Sequence, residues 1–242
     1  MPVTAAEAWI FGYGSLMWNP GFPFIEARRA RLTGYHRAFC IYSIHYRGTE
    51  RQPGLVLGLD RGGVCDGMAF RIAPEKRDEV LAYLRRRELI YGVYREALVP
   101  LDLHHEPASP PSGEGHSTMP QPVEDARTVW AIAYIAERAH PAYAGMLPPQ
   151  QAASLIRRSA GHGGTNLDYL LSTLCHLETL GIAEPRLSRL LALTGAQAAR
   201  RRTVAGGAHV PTIALTRAWA KRPLLAPRPV RANRFGYRAK LG

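Results

Sequence analysis

The chain has 242 residues, 46% of them hydrophobic, and a formal net charge of +12. That length suits one domain with decoration and a sizeable core, and the apolar content excludes global disorder. The charge is uneven: residues 185–242 hold 13 Lys or Arg and no Asp or Glu, so residues 1–184 sum to −1. The basicity therefore says nothing about nucleic-acid binding by the main body.

Residues 9–11 read as a short apolar strand. Gly12 and Gly14 then permit a bend that presents backbone N–H groups, because glycine tolerates positive φ and close approach. Ser15 adds a hydroxyl. The spacing matches neither the dinucleotide glycine fingerprint nor a P-loop, so taken alone it fits a tight turn as well as a binding loop. Further strands are predicted over residues 38–44, 54–59 and 67–72, with Gly62-Gly63 as a hairpin turn between residues 59 and 64. Pro74 and Glu75 open a helix carrying Val80, Leu81 and Leu84 as its apolar stripe, and a strand follows over residues 94–99.

Residues 103–125 contain five prolines and read as a long loop, a lid or an insertion. Its histidines, His104, His105 and His116, lack metal-ligand spacing, and no metal is expected. Residues 128–135 alternate like a strand. Helices follow over residues 148–159 and 167–180, joined by the Gly161-His162-Gly163-Gly164 turn, the second with a leucine stripe from Leu167 to Leu180. A short helix over residues 186–193 leads to a hinge at Thr194-Gly195. No run of 18 apolar residues suggests a membrane span. Cys40, Cys65 and Cys175 are too scattered for a disulfide scaffold and read as small buried hydrophobes. With an amino terminus unlike a signal peptide, the expected setting is a reducing cytoplasm.

Tyr13-Gly14-Ser15-Leu16, Arg47-Gly48-Thr49, the Pro-Gly-Leu-Val-Leu-Gly-Leu run over residues 53–59, Arg87-Glu88-Leu89 and Gly163-Gly164-Thr165-Asn166-Leu167-Asp168-Tyr169-Leu170 occur in one order. Together, over about residues 9–180, they resemble the ChaC family of glutathione-specific γ-glutamylcyclotransferases. The resemblance implies an α+β fold, a small closed mixed β-barrel flanked by helices. It implies cofactor-free cleavage of glutathione to 5-oxoproline and cysteinylglycine, with no obligate protein partner and no membrane. Residues 1–195 would form the catalytic domain and residues 196–242 a basic Pro/Arg-rich appendage, open to weak non-specific polyanion contact.

By pattern, Glu88 is a surface salt-bridge partner for Arg85, Arg86 and Arg87; by resemblance it is the catalytic acid–base. Burial would raise its pKa and the arginines would lower it. The resemblance gives Tyr13, Gly14, Ser15 and Leu16 the γ-glutamyl group to hold, through backbone amides meeting its α-carboxylate or the developing oxyanion. Ser15 lacks a nucleophile elbow and is not expected to form a covalent intermediate. Tyr143 resembles a family tyrosine that orients the same group, or is an aromatic covering the barrel mouth. Asn166 and Tyr169 match a family motif whose serine is replaced here by Gly164; the alternatives are a helix N-cap for Asn166 and a packed ring for Tyr169. Arg47 meets a substrate carboxylate or serves structure. The competing functions are cyclisation of other γ-glutamyl amines, and a non-enzymatic ligand- or nucleic-acid-binding protein using the basic tail.

Overall fold

Two long antiparallel strands dominate the computed structural model, which describes residues 8–104 and 127–196. They are β2 (Glu26–Ser43) and β3 (Gly54–Ile72), paired along almost their whole length. Three shorter strands, β1 (Ala8–Gly12), β4 (Tyr94–Leu103) and β5 (Thr128–Ala136), complete a closed barrel in the order β1-β3-β2-β4-β5. Closure comes from β1, antiparallel to β3 on one side and parallel to β5 on the other. Flanked on both sides and both faces, β1 is buried at all five residues, which is why it reads as an unbroken apolar run.

The expected hairpin at Gly62-Gly63 is not there. Both glycines do take positive φ, at 94° and 74°, but they lie inside β3. The β2–β3 register shifts where Thr33 faces Val64 and Tyr35 faces Arg61, so the glycines form a bulge in one continuous bent strand. A short sequence window cannot distinguish a turn from a bulge, because both need the same backbone freedom. Residues 26–37, which carry many charges, also belong to β2: alternate residues face solvent while Ala30 and Leu32 are fully buried.

Among the described residues four α-helices cover the barrel. They are α1 (Arg77–Glu88), α2 (Pro149–Arg158), α3 (Asn166–Thr179) and α4 (Pro185–Leu193). The predicted stripes are buried at Val80, Leu81 and Leu84 on α1 and at Leu170, Leu171, Leu174 and Leu177 on α3, while Leu167 and Leu180 at the ends of the second stripe are only partly buried. Between α2 and α3 a two-residue ladder pairs β6 (Ala160–Gly161) with β7 (Gly164–Thr165). The α3 cap is Thr165, whose hydroxyl accepts from the Asp168 amide at 3.0 Å, and Asn166 is the first residue inside the helix. This corrects the N-cap alternative for Asn166. All three cysteines are free and buried. No helix among the described residues is long and apolar enough to cross a membrane. Most of the expected 103–125 loop and nearly all of the 196–242 appendage lie outside the described residues.

Candidate active site

At the end of β1 the chain makes a single 3-10 turn, Ser15–Met17, closed by the Met17 amide donating to Gly14 O at 2.9 Å. A helical turn begun there leaves the amides ahead of it, those of Gly14, Ser15 and Leu16, without an acceptor inside the turn. Such a row of N–H groups suits an anion or a developing oxyanion. Neither glycine of the motif needs a left-handed backbone: Gly14 lies at φ −135°. Close approach is what favours glycine, since a Cβ on Gly12 would stand 3.2 Å from Leu16 Cβ. The expectation of positive φ here is therefore corrected.

The side chain of Glu88, at the C-terminal end of α1, is 18% exposed. Burial lifts its pKa above the ordinary glutamate value, and the Arg87 cation opposes the rise. Arg87 Nε lies 3.1 Å from Glu88 Oε1. Through its other nitrogens Arg87 donates to Ser15 Oγ at 3.1 Å, to Asn19 O at 2.8 Å and to Pro20 O at 3.1 Å. One guanidinium thus joins the carboxylate to the glycine-serine turn. In the sequence Arg87 was only a neighbour of Glu88; nothing in its spacing pointed to the turn.

Four tyrosines from other elements feel the charge of the carboxylate. Tyr13 from the turn, Tyr94 from β4, Tyr134 from β5 and Tyr169 from α3 all lie within electrostatic reach of Glu88. Burial raises the pKa of each, that of Tyr169 to about 12, so they stay neutral hydrogen-bonding groups at physiological pH. Tyr94 donates to Leu57 O at 2.6 Å, and the Leu57 main chain also reaches the Tyr169 hydroxyl. Tyr94 and Tyr134 were not singled out in the sequence, where they read as ordinary strand aromatics.

The remaining candidates occupy two places. Arg47 lies over the Tyr169 ring, 5.2 Å from its centroid, and donates to Thr165 O at 3.3 Å. Its loop packs tightly against the start of β3: a Cβ on Gly48 would come within 2.1 Å of Gly54 N, so only glycine fits. Asn166 is fully buried and grips Leu55 with both ends of its amide, Oδ1 accepting from Leu55 N and Nδ2 donating to Leu55 O, each at 2.6 Å. That amide is spent on the barrel wall. Tyr143 donates to Asp60 Oδ2 at 2.8 Å, and Arg138 Nε donates to Asp60 Oδ1 at the same distance. The structure thus brings Tyr13, Gly14, Ser15 and Leu16 to Glu88 through Arg87, with Tyr169 and Arg47 beside them, and turns Tyr143 to the Asp60 cluster.

A family model described as ChaC-like protein matches residues 8–197. A glutathione-specific γ-glutamylcyclotransferase of Escherichia coli (strain K12) is 39% identical over 183 residues, spanning 76% of this chain and 71% of that protein. Glutathione-specific γ-glutamylcyclotransferase 1 of Mus musculus is 33% identical over 175 residues, 72% of this chain and 70% of its own length. The crystal structure of a γ-glutamyl cyclotransferase specific to glutathione from yeast shares the fold, with a TM-score of 0.64 at 23% identity, covering 78% of this chain and 96% of that one.

Proposed function

This chain belongs to the family of ChaC-like proteins, and we propose that it is a glutathione-specific γ-glutamylcyclotransferase that releases 5-oxoproline and cysteinylglycine. The substrate's own α-nitrogen attacks its γ-carbonyl carbon, and the amide bond to the cysteinyl nitrogen breaks. No water is consumed. The α-ammonium must first lose a proton, and Glu88 is the base in reach of the turn. A carboxylate whose burial raises its pKa accepts that proton more readily and then returns it to the departing amine. The amides of Gly14, Ser15 and Leu16 receive the γ-glutamyl group, as its α-carboxylate or as the oxyanion formed on attack. Binding both ends of one molecule supplies proximity, so no covalent enzyme intermediate is required.

The observation that supports this reading is the Arg87 bridge, which ties a buried carboxylate to the turn whose leading amides have no acceptor inside it. Arg47 is the cation for a second substrate carboxylate, held over Tyr169. Asn166 and Tyr143 serve the site indirectly: the first secures Leu55 near the Leu57 carbonyl that Tyr94 uses, and the second secures buried Asp60. A reducing cytoplasm suits three free, buried thiols.

The test is an end-point assay of the purified protein with glutathione that resolves 5-oxoproline from free glutamate. We expect 5-oxoproline and cysteinylglycine in equal amounts. Free glutamate in place of 5-oxoproline, again with cysteinylglycine, means hydrolysis and sinks the assignment. 5-Oxoproline formed only from other γ-glutamyl amines would keep the chemistry and refute the glutathione specificity.

A further inference from the structure

Arg37 is a charged side chain in the barrel wall with no exposed surface. Isolated, such a charge is prohibitively costly to bury, so its contacts explain its presence. Nη1 pairs with Glu184, just before α4. Nη2 donates to Asp66 O on β3 at 2.7 Å and lies 3.8 Å from Met17 Sδ. Nε donates to Tyr13 O. Tyr13 and Met17 bracket the turn whose leading amides have no acceptor inside it. Arg37 therefore holds the turn at both ends from the core side, while Arg87 holds Ser15 and the residues after it from α1.

The hold on Tyr13 O has a directional consequence. The Tyr13–Gly14 peptide is trans and planar, so its C=O and N–H point in opposite directions. Drawing the carbonyl onto Arg37 therefore aims the Gly14 N–H away from that guanidinium. We infer that Arg37 is a positioning residue for the reaction, held by Glu184, which orients the Gly14 amide toward the substrate. The residue acts through the backbone and touches no substrate atom. The role of that amide rests on the function proposed above.

The test compares the parent with Arg37→Met/Glu184→Gln, which removes the charge pair together and leaves no ion stranded, and with Glu184→Gln alone, which keeps an acceptor for Arg37. Thermal unfolding, kcat and KM for glutathione, and the Gly14 amide resonance in 15N-labelled protein are recorded on each. A misdirected donor should lower kcat/KM by about 10- to 100-fold in the folded double variant. A fall in kcat at constant KM assigns the amide to the oxyanion; a rise in KM at constant kcat assigns it to the α-carboxylate. Either supports the inference, as does a shifted Gly14 resonance. Glu184→Gln should show the same split to a smaller degree, and carries the test if the double variant does not fold. A folded variant that melts lower but keeps parental kcat, KM and Gly14 resonance makes the pair a structural bolt only and overturns the inference. If the parent itself fails to turn over glutathione, the function is at fault; the Gly14 resonance still decides whether Arg37 orients the peptide.

Discussion

Arg87 and Glu88, neighbours in the chain, turn their side chains toward each other, with Nε 3.1 Å from Oε1. This contact opposes the effect of burial. Desolvation favours the protonated carboxyl and the guanidinium favours the carboxylate, and desolvation prevails. A base that must take a proton and return it gains from this balance. Too low a pKa would leave it a poor acceptor, and too high a pKa would leave it occupied by its own proton.

Glu88→Gln should abolish most turnover while preserving the fold. Loss of one acid–base group costs about 10²–10⁴-fold, and the proposed mechanism asks one group to serve both proton transfers. Stability should move the other way. Because the folded pKa lies above the ordinary 4.5, ionising Glu88 destabilises the fold, and that cost grows as pH rises from the unfolded value through the folded one. At neutral pH the Gln variant should therefore melt no lower than the parent. Near-parental kcat in the variant would remove Glu88 from the mechanism.

Arg87→Gln should move the acidic limb of the kcat/KM profile to higher pH. Without the cation, burial acts on Glu88 unopposed, and its carboxylate forms later in the titration. The same variant loses the donors to Asn19 O and Pro20 O, so a higher KM is also expected. An acidic limb that stays in place would show that Glu88 does not set it.

Much of the wall was legible in the sequence, because apolar alternation, leucine stripes and glycine punctuation report local geometry. The helices α1 to α4 and the strands β1 and β5 fall where the sequence pattern puts them, and β4 starts as expected but runs past residue 99 to Leu103. What was not legible depended on partners far along the chain. Whether Gly62-Gly63 is a turn or a bulge is set by the β2 register opposite, and whether Asn166 caps a helix or clamps Leu55 is set by the approach of β3. Arg37 sat in plain view as a charge beside an apolar strand, but its four partners lie at residues 13, 17, 66 and 184. Glu88 itself became a candidate through the resemblance, since pattern alone made it one more charged residue on a helix.

Tyr143→Phe should cost about 1–2 kcal/mol of stability at neutral pH, the scale of a hydrogen bond lost from a buried charged group. Burial works against the Asp60 carboxylate, yet the hydrogen bonds from Arg138, Tyr143 and the Arg61 amide hold it below its ordinary 3.8. A depressed folded pKa gives stability that is present above the unfolded value and lost as pH falls through the folded one. The deficit of the variant should therefore shrink in strong acid. Its kcat and KM should stay within about threefold of the parent, as befits an indirect role. A large rise in KM with unchanged melting would instead put Tyr143 on the substrate.

Removal of residues 206–242 separates the catalytic reading from the polyanion-binding one. The deletion takes away eight Lys or Arg and no acidic residue. Binding to DNA or heparin should weaken, and its salt dependence should flatten, since each lost phosphate contact reduces the slope by about 0.7–0.9. Turnover of glutathione should be unchanged, because every side chain assigned to the site lies between Tyr13 and Glu184. Turnover, melting temperature and salt-dependent binding measured on the same truncated protein check this. Lost turnover in a truncation that still melts like the parent would make the basic segment part of the active site.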